Sequence, residues 1–147
     1  MTLWYNGSMP SYDILSPAPA LKIRATGGTR AGLLTIILTS VFQSWRFEKD
    51  DHLDAPVTEQ PFSLEGQDFS VLIASLLGFA VERAAAKHEV YDTLSIALIT
   101  ETKLQGKLVG TPLPRNVTLE LPTGTPSVSL KKIETGEWEA TIAFSDP

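Results

Sequence analysis

The sequence predicts an α+β fold in which two helices pack on one face of a largely antiparallel sheet, as a two-layer sandwich. In the first half of the chain, strand patterns alternate with helix patterns, whereas the second half shows strand patterns separated only by turn residues. Hydrophobic residues make up 43% of the 147 residues, which is enough for one core. We therefore expect a single domain over residues 1–147, with residues 1–11 as an N-terminal arm.

The first strand and helix follow from residues 21–45. Leu21 to Ala25 alternate apolar and polar side chains, which is typical of a half-buried strand. Gly27 and Gly28 end that strand, and Thr29 is a suitable N-cap for a helix that extends to about Trp45. The apolar residues of this helix recur at helical spacing, which predicts the buried stripe Leu34, Ile37, Leu38, Val41 and Trp45.

A charged loop, RFEKDDHLDAP, separates this helix from a strand predicted at about 57–64 and ended by Gly66. Asp68 is a suitable N-cap for a second helix over about 69–87. Its predicted buried stripe is Phe69, Leu72, Ile73, Leu76, Leu77 and Ala80. Further strands are predicted at about 92–101, 104–110, 116–121, 127–133 and 137–144. Among the turn signals of this region, Gly106 and Gly110 are interpreted as bends.

The composition excludes several classes of function. The chain has no cysteine, so disulfides, thiolate nucleophiles and cysteine–zinc sites are absent. A net charge of −5 with only 12 basic residues argues against a broad nucleic-acid surface. No signal peptide is recognisable, and the longest apolar runs, near 33–38 and 71–73, are too short to span a bilayer. We therefore expect a cytoplasmic protein with no membrane or direct nucleic-acid partner.

The acidic loop is the most polar candidate site, and its members are Asp50, Asp51, His52 and Asp54. One interpretation is an oxygen-rich metal site with one imidazole ligand. The loop lacks the spaced ligands and the glycine of a calcium loop, so a solvated loop is the favoured interpretation.

Two other motifs also favour structural roles. The stretch ATGGT, residues 25–29, could cradle a phosphate at a helix start, but it lacks the lysine of a P-loop and the third glycine of a dinucleotide fingerprint. His88 follows Lys87 at a helix end, where a cation is favoured by the helix dipole. With two histidines and no partner motif, a hydrolase triad is not indicated. We expect no enzymatic activity and no cofactor.

Several segments together resemble one known family. Tyr12 to Gly27, YDILSPAPALKIRATG, aligns without a gap on a family opening of the form Tyr-Glu-Phe-Leu-Asp-His-Thr-Ala-Asp-Val-Gly-Ile-Arg-Ala-Tyr-Gly. Further matches are the cap at Thr29, the pair Val41-Phe42, the helix start DFSVLI, the segment Gly110-Thr111-Pro112 and the hairpin VSLKKIETGEWEATIAF. Over about residues 12–146 the chain is similar to the archease family, whose fold is the SHS2 domain.

The resemblance implies an accessory function without the family's chemistry. Archeases carry metal-binding acids at the first strand and near the C-terminus, and they activate an RNA ligase in tRNA splicing without being ligases. The family's first acids and histidine fall on Ser16, Pro17 and Ala20, and its C-terminal acid falls on Ser145, with Asp146 one residue later. The resemblance therefore implies a divergent member that does not bind metal at this site.

Both predicted helices lack a charged outward side. Arg30 is the only charge from Thr29 to Trp45, and Phe69 to Val81 carry none. Because a helix on a sheet normally shows charge to solvent, we expect an interface with a protein partner or a second copy. The positions off the buried stripes that we assign to it are Thr35, Ile36, Thr39, Ser40, Val71, Ala74, Ser75, Gly78 and Phe79. The alternative is that the N-terminal arm, with Trp4 and Tyr5, covers these helices.

Three functions therefore stay open at the level of sequence. The first is a divergent archease-like, non-enzymatic accessory or protein-binding factor linked to RNA ligase and tRNA processing. The second is a self-associating interaction module of unknown pathway. The third, which we favour least, is a metal-dependent enzyme that uses the acidic loop.

Overall fold

A computed structural model describes residues 11–16, 20–42, 57–114, 121–122 and 126–144. Within these ranges the chain forms two helices and seven strands, which confirms the α+β class. In chain order the elements are β1 Ser11–Ser16, β2 Lys22–Gly27, α1 Arg30–Phe42, β3 Thr58–Glu65, α2 Phe69–Lys87, β4 Glu89–Ile99, β5 Lys103–Pro112, β6 Ser127–Lys132 and β7 Trp138–Ala143. The first ten residues of the predicted arm, and nearly all of the strand predicted at 116–121, lie outside the described residues.

The strands form two antiparallel sheets. One sheet has the order β1-β2-β7-β6, and the other has the order β3-β5-β4. In the first sheet, β2 from the start of the chain pairs with β7 from near its end, for example Ile23 with Ile142. β1 was not predicted, because it is an edge strand that is largely exposed and lacks a clear apolar alternation; it pairs with β2, placing Asp13 opposite Arg24.

Each helix packs against strands of both sheets. α1 contacts β1, β2 and β7 of the four-stranded sheet and β4 of the other, while α2 contacts β6 and all three strands of the second sheet. Both predicted caps are confirmed, because Thr29 Oγ1 accepts from the Gly32 amide at 2.9 Å and Asp68 Oδ1 accepts from the Val71 amide at 3.0 Å. The helices therefore link the two sheets around a shared core.

α1 is enclosed almost all round. Among its 13 residues only Thr35 is exposed, and the helix ends at Phe42 rather than extending to Trp45, which lies outside the described residues. Its one charge, Arg30, has its guanidinium 5.7 Å from the ring centre of Phe69 and 5.8 Å from that of Trp138. A helix that is apolar on every side is a buried helix, so burial explains the missing charge of α1.

β5 is the central strand of the three-stranded sheet, and it runs straight through both glycines that were interpreted as bends. That interpretation was wrong, because Gly106 and Gly110 lie inside β5, beside two bulges of β4. A Cβ at Gly106 would lie 2.1 Å from the Ser95 carbonyl oxygen, and one at Gly110 would lie 1.9 Å from that of Val90. The glycines are needed because the bulged strand approaches the β5 backbone too closely for a side chain.

Candidate functional site

The outward side of α2 forms one wall of a shallow groove of about 590 Å³. Pro126, just before β6, lines the groove together with residues of α2, and we refer to this depression as the α2 groove. Its lining residues are Val71, Ala74, Ser75, Gly78, Phe79, Glu82 and Pro126. The structure thus brings together all five of the α2 residues predicted from the sequence to form an interface.

The chemistry of the α2 groove is mainly apolar. Glu82 is the only charged residue that lines it, and Val71 is 40% exposed although it is aliphatic. Phe79 is held in place by the ring of Phe62, with centroids 5.9 Å apart. A Cβ at Gly78 would have no atom within 4 Å, so no contact among the described residues requires a glycine there. These features suit contact with another apolar surface better than catalysis.

The α1 half of the predicted interface does not join the groove. Ser40 is 2% exposed, and its hydroxyl donates to the Ile37 carbonyl at 2.6 Å, so the expectation that Ser40 faces outward was wrong. Ile36 packs against the core, and Thr39 is half-buried. Thr35 is exposed, with its hydroxyl bound to the Ala31 carbonyl. The α1 half of the predicted interface is mostly covered because strands from both sheets pack against α1.

A buried polar cluster was missed at the start of β4. Glu89 is 7% exposed, and its Oε1 accepts from the Tyr91 hydroxyl at 2.8 Å and from Gln60 Nε2 at 3.2 Å. Burial, and next the hydrogen bond to Glu89, raise the pKa of Tyr91 far above its ordinary value, so its hydroxyl remains a donor. Gly110 pairs with Tyr91 across the sheet, and the side chain it lacks would meet the backbone of Val90 and Tyr91. The alternation of Glu89 and Tyr91 could have indicated this polar cluster, but the predicted strand began only at residue 92.

The positions that resemble the family metal site offer no carboxylate where they are described. Ser16 ends β1, and Ala20 is half-buried before β2. Pro17 and Ser145 lie outside the described residues, as does the acidic loop of Asp50, Asp51, His52 and Asp54. Within the ranges that the structure describes, no three histidine or acidic side chains are grouped so that they could hold a metal ion.

The other two motifs have structural roles. In the ATGGT motif, Gly27 ends β2 and Thr29 caps α1. His88 ends α2 in a left-handed conformation with φ of 58°, and its Nε2 lies 3.0 Å from the carbonyl oxygen of Pro114. It therefore joins the end of α2 to the segment that follows β5.

α2 also meets the length and composition of a membrane-spanning helix, with 19 residues and a mean hydropathy of 1.6. The prediction from short apolar runs overlooked this, because small residues interrupt those runs. In this fold α2 packs against both sheets, as the core helix of a globular domain does. Buried residues make up 39% of its apolar stretch, and the α2 groove lies on the side that the described strands do not cover.

Comparison with known proteins adds no relative from which a function could be transferred. No family model matches the chain, and no curated protein matches it.

Proposed function

We propose that this protein is a non-enzymatic protein-binding factor whose contact surface is the α2 groove. The observation that carries the proposal is an open helix side that is apolar or small from Val71 to Phe79 and remains uncovered among the described residues. Burial explains the absence of charge on α1 but does not explain it on α2. Apolar area without charge on a protein surface marks an interaction site.

The proposed role within a cell is that of a divergent archease-like accessory factor in the cytoplasm, acting beside an RNA ligase in tRNA processing. The resemblance of residues 12–146 supports this finer step. The described positions of the family metal site, Ser16 and Ala20, have no oxygen-rich ligands of the kind that metal chemistry needs. A self-associating module without an RNA-processing partner is the alternative, and a metal-dependent enzyme using Asp50, Asp51, His52 and Asp54 is the one we favour least.

Site-specific photo-cross-linking tests the proposal. A benzophenone amino acid would replace Val71 in the groove or, as control, Ala86, which is exposed on the same helix outside it. In cells of the native organism we expect a defined adduct from position 71 that is absent from position 86. Ala74→Arg should abolish that adduct, because it places a charge in the groove. The matched change Ala86→Arg should leave it intact.

The identity of the adduct then separates the alternatives. An RNA ligase would support the accessory role, and a second copy of the chain would support self-association. Equal and diffuse labelling from both positions would contradict a binding role for the groove. A metal-dependent activity of the purified protein that is lost in the Asp50, Asp51 and Asp54 variants would contradict the non-enzymatic proposal.

A further inference from the structure

We infer that the α2 groove is occupied by the same groove of a second copy, with the two α2 helices antiparallel across a two-fold axis between Ser75 and Gly78. This inference rests on the proposed function, because it names the partner of that same surface. A two-fold interface is formed when one surface patch meets itself, so the patch must be complementary to its own reversed copy.

The spacing along α2 meets that requirement. Val71, Ser75, Gly78 and Glu82 lie on one line of the outward side, at intervals of four, three and four residues. This order is unchanged when the helix is reversed, and it is the seam that two packed helices share. In the antiparallel arrangement Ser75 faces Gly78 of the second copy, and Val71 faces the methylenes of Glu82.

Charge selects the antiparallel arrangement over the parallel one. A parallel pair would place Glu82 opposite Glu82 and Asp68 near Asp68, so that like charges meet. In the antiparallel pair the two Glu82 residues stay apart, because each lies opposite Val71 of the other copy. The helix dipoles also oppose each other in this arrangement.

Gly78 supplies an independent argument. A glycine inside a helix is destabilising relative to alanine, and a Cβ at this position would meet no atom within 4 Å among the described residues outside the backbone of its own helix. The described part of one copy therefore gives no reason for a glycine. A second helix that crosses at Gly78 supplies one, because small residues let two helix backbones approach closely.

The absence of cysteine from the sequence makes disulfide cross-linking a direct test. Val71→Cys and Glu82→Cys change exposed positions, so both variants should keep the fold. The two positions are separated by 11 residues, or about 16 Å along the helix. When the two purified variants are mixed and oxidised, we expect a disulfide between position 71 of one copy and position 82 of the other, made visible by a size tag on one variant.

Either variant alone should give no more cross-linked dimer than the control pair Val71→Cys with Ser129→Cys, whose second position is exposed on β6. Light scattering at micromolar concentration should show a dimer for the unsubstituted chain and a monomer for Ser75→Arg. Cross-linking by each variant alone would overturn the antiparallel arrangement. A monomer with no mixed cross-link would overturn the second copy as partner, while a photo-adduct from position 71 with a different protein would leave the proposed function standing.

Discussion

Replacing Gly110 with alanine should destabilise this protein strongly, because β5 has no space for a side chain at that position. The added Cβ would lie 1.9 Å from the Val90 carbonyl oxygen and 2.8 Å from the Tyr91 Cα. Both are backbone atoms of β4, held by the pairing of β4 with β5, so no side-chain rotation relieves the contact. The β4 backbone beside the bulge has to move, and it carries the residues of the buried Glu89 cluster.

Overpacking of a filled interior costs about 1–3 kcal/mol, and we expect Gly110→Ala to cost about 3 kcal/mol because the obstructing atoms are backbone. For a chain of this size, that corresponds to a fall in Tm of roughly 6–12 °C. Gly78→Ala is the matched control, because its Cβ has open space and alanine is the better helix former. It should raise stability by up to about 1 kcal/mol.

Both glycine variants should be measured by thermal and urea unfolding in the Ser75→Arg background, so that association does not contribute to stability. Circular dichroism and tryptophan fluorescence should report the same transition if unfolding is two-state. The steric argument is refuted if Gly110→Ala leaves Tm unchanged or raises it, as Gly78→Ala is expected to do.

Three further predictions concern the polar groups. Tyr91→Phe keeps the ring contact with Phe42 but removes the donor to Glu89, and urea unfolding should show a loss of about 2 kcal/mol, as for a hydrogen bond to a charged group; an unchanged midpoint would mean that this bond contributes nothing. Hydrogen bonds from the Ser70 side chain and then the Val71 amide lower the pKa of Asp68 below its ordinary value of 3.8. The stability that Asp68 adds is therefore present above pH 3.8 and disappears as the pH falls through the lowered pKa. The Tm difference between the native chain and Asp68→Ala should shrink in acid, whereas Asp68→Ser should keep the cap at neutral pH. A Tm difference that stays constant across the acid range would contradict the role of the charge. Replacing the three aspartates of the acidic loop with asparagine should change stability by less than roughly 1 kcal/mol, and calcium or magnesium should not raise Tm; a saturable rise that these replacements abolish would support the metal-dependent alternative. The aspartates are Asp50, Asp51 and Asp54.

The local features of this fold could be predicted from the sequence because each is determined by neighbours along the chain. The caps at Thr29 and Asp68 lie within three residues of the amides that they bind, and the stripe of α2 follows from helical spacing. The turn of the hairpin VSLKKIETGEWEATIAF was recognisable for the same reason, and Gly136 adopts a positive φ there. Such signals need no knowledge of what packs against the element.

Features that depend on distant segments could not be predicted in the same way. Nothing in residues 22–27 indicates that β2 pairs with β7, more than a hundred residues later, and so the division into two sheets was not predicted. A glycine that ends a strand and a glycine that lies beside a bulge look alike in a single sequence, and the bulges of β4 are visible only once its register with β5 is known. The Glu89 cluster was missed for a related reason, because Glu89 lies three residues before the start of the predicted strand.

The two helices show why lack of charge alone is ambiguous as a sign of an interface. In α1 the strands of both sheets remove the need for polar side chains, and the one charge, Arg30, lies against aromatic rings. In α2 the same kind of sequence leaves a partly exposed line from Val71 to Glu82 and, at Gly78, a position whose Cβ would meet no described atom within 4 Å outside its own helix backbone. A helix with so little charge is stable in water only if most of its circumference is covered. For α1 the described strands provide that cover, whereas no described residue provides it for the outward side of α2, which is why the binding proposal rests on α2 and not on both helices.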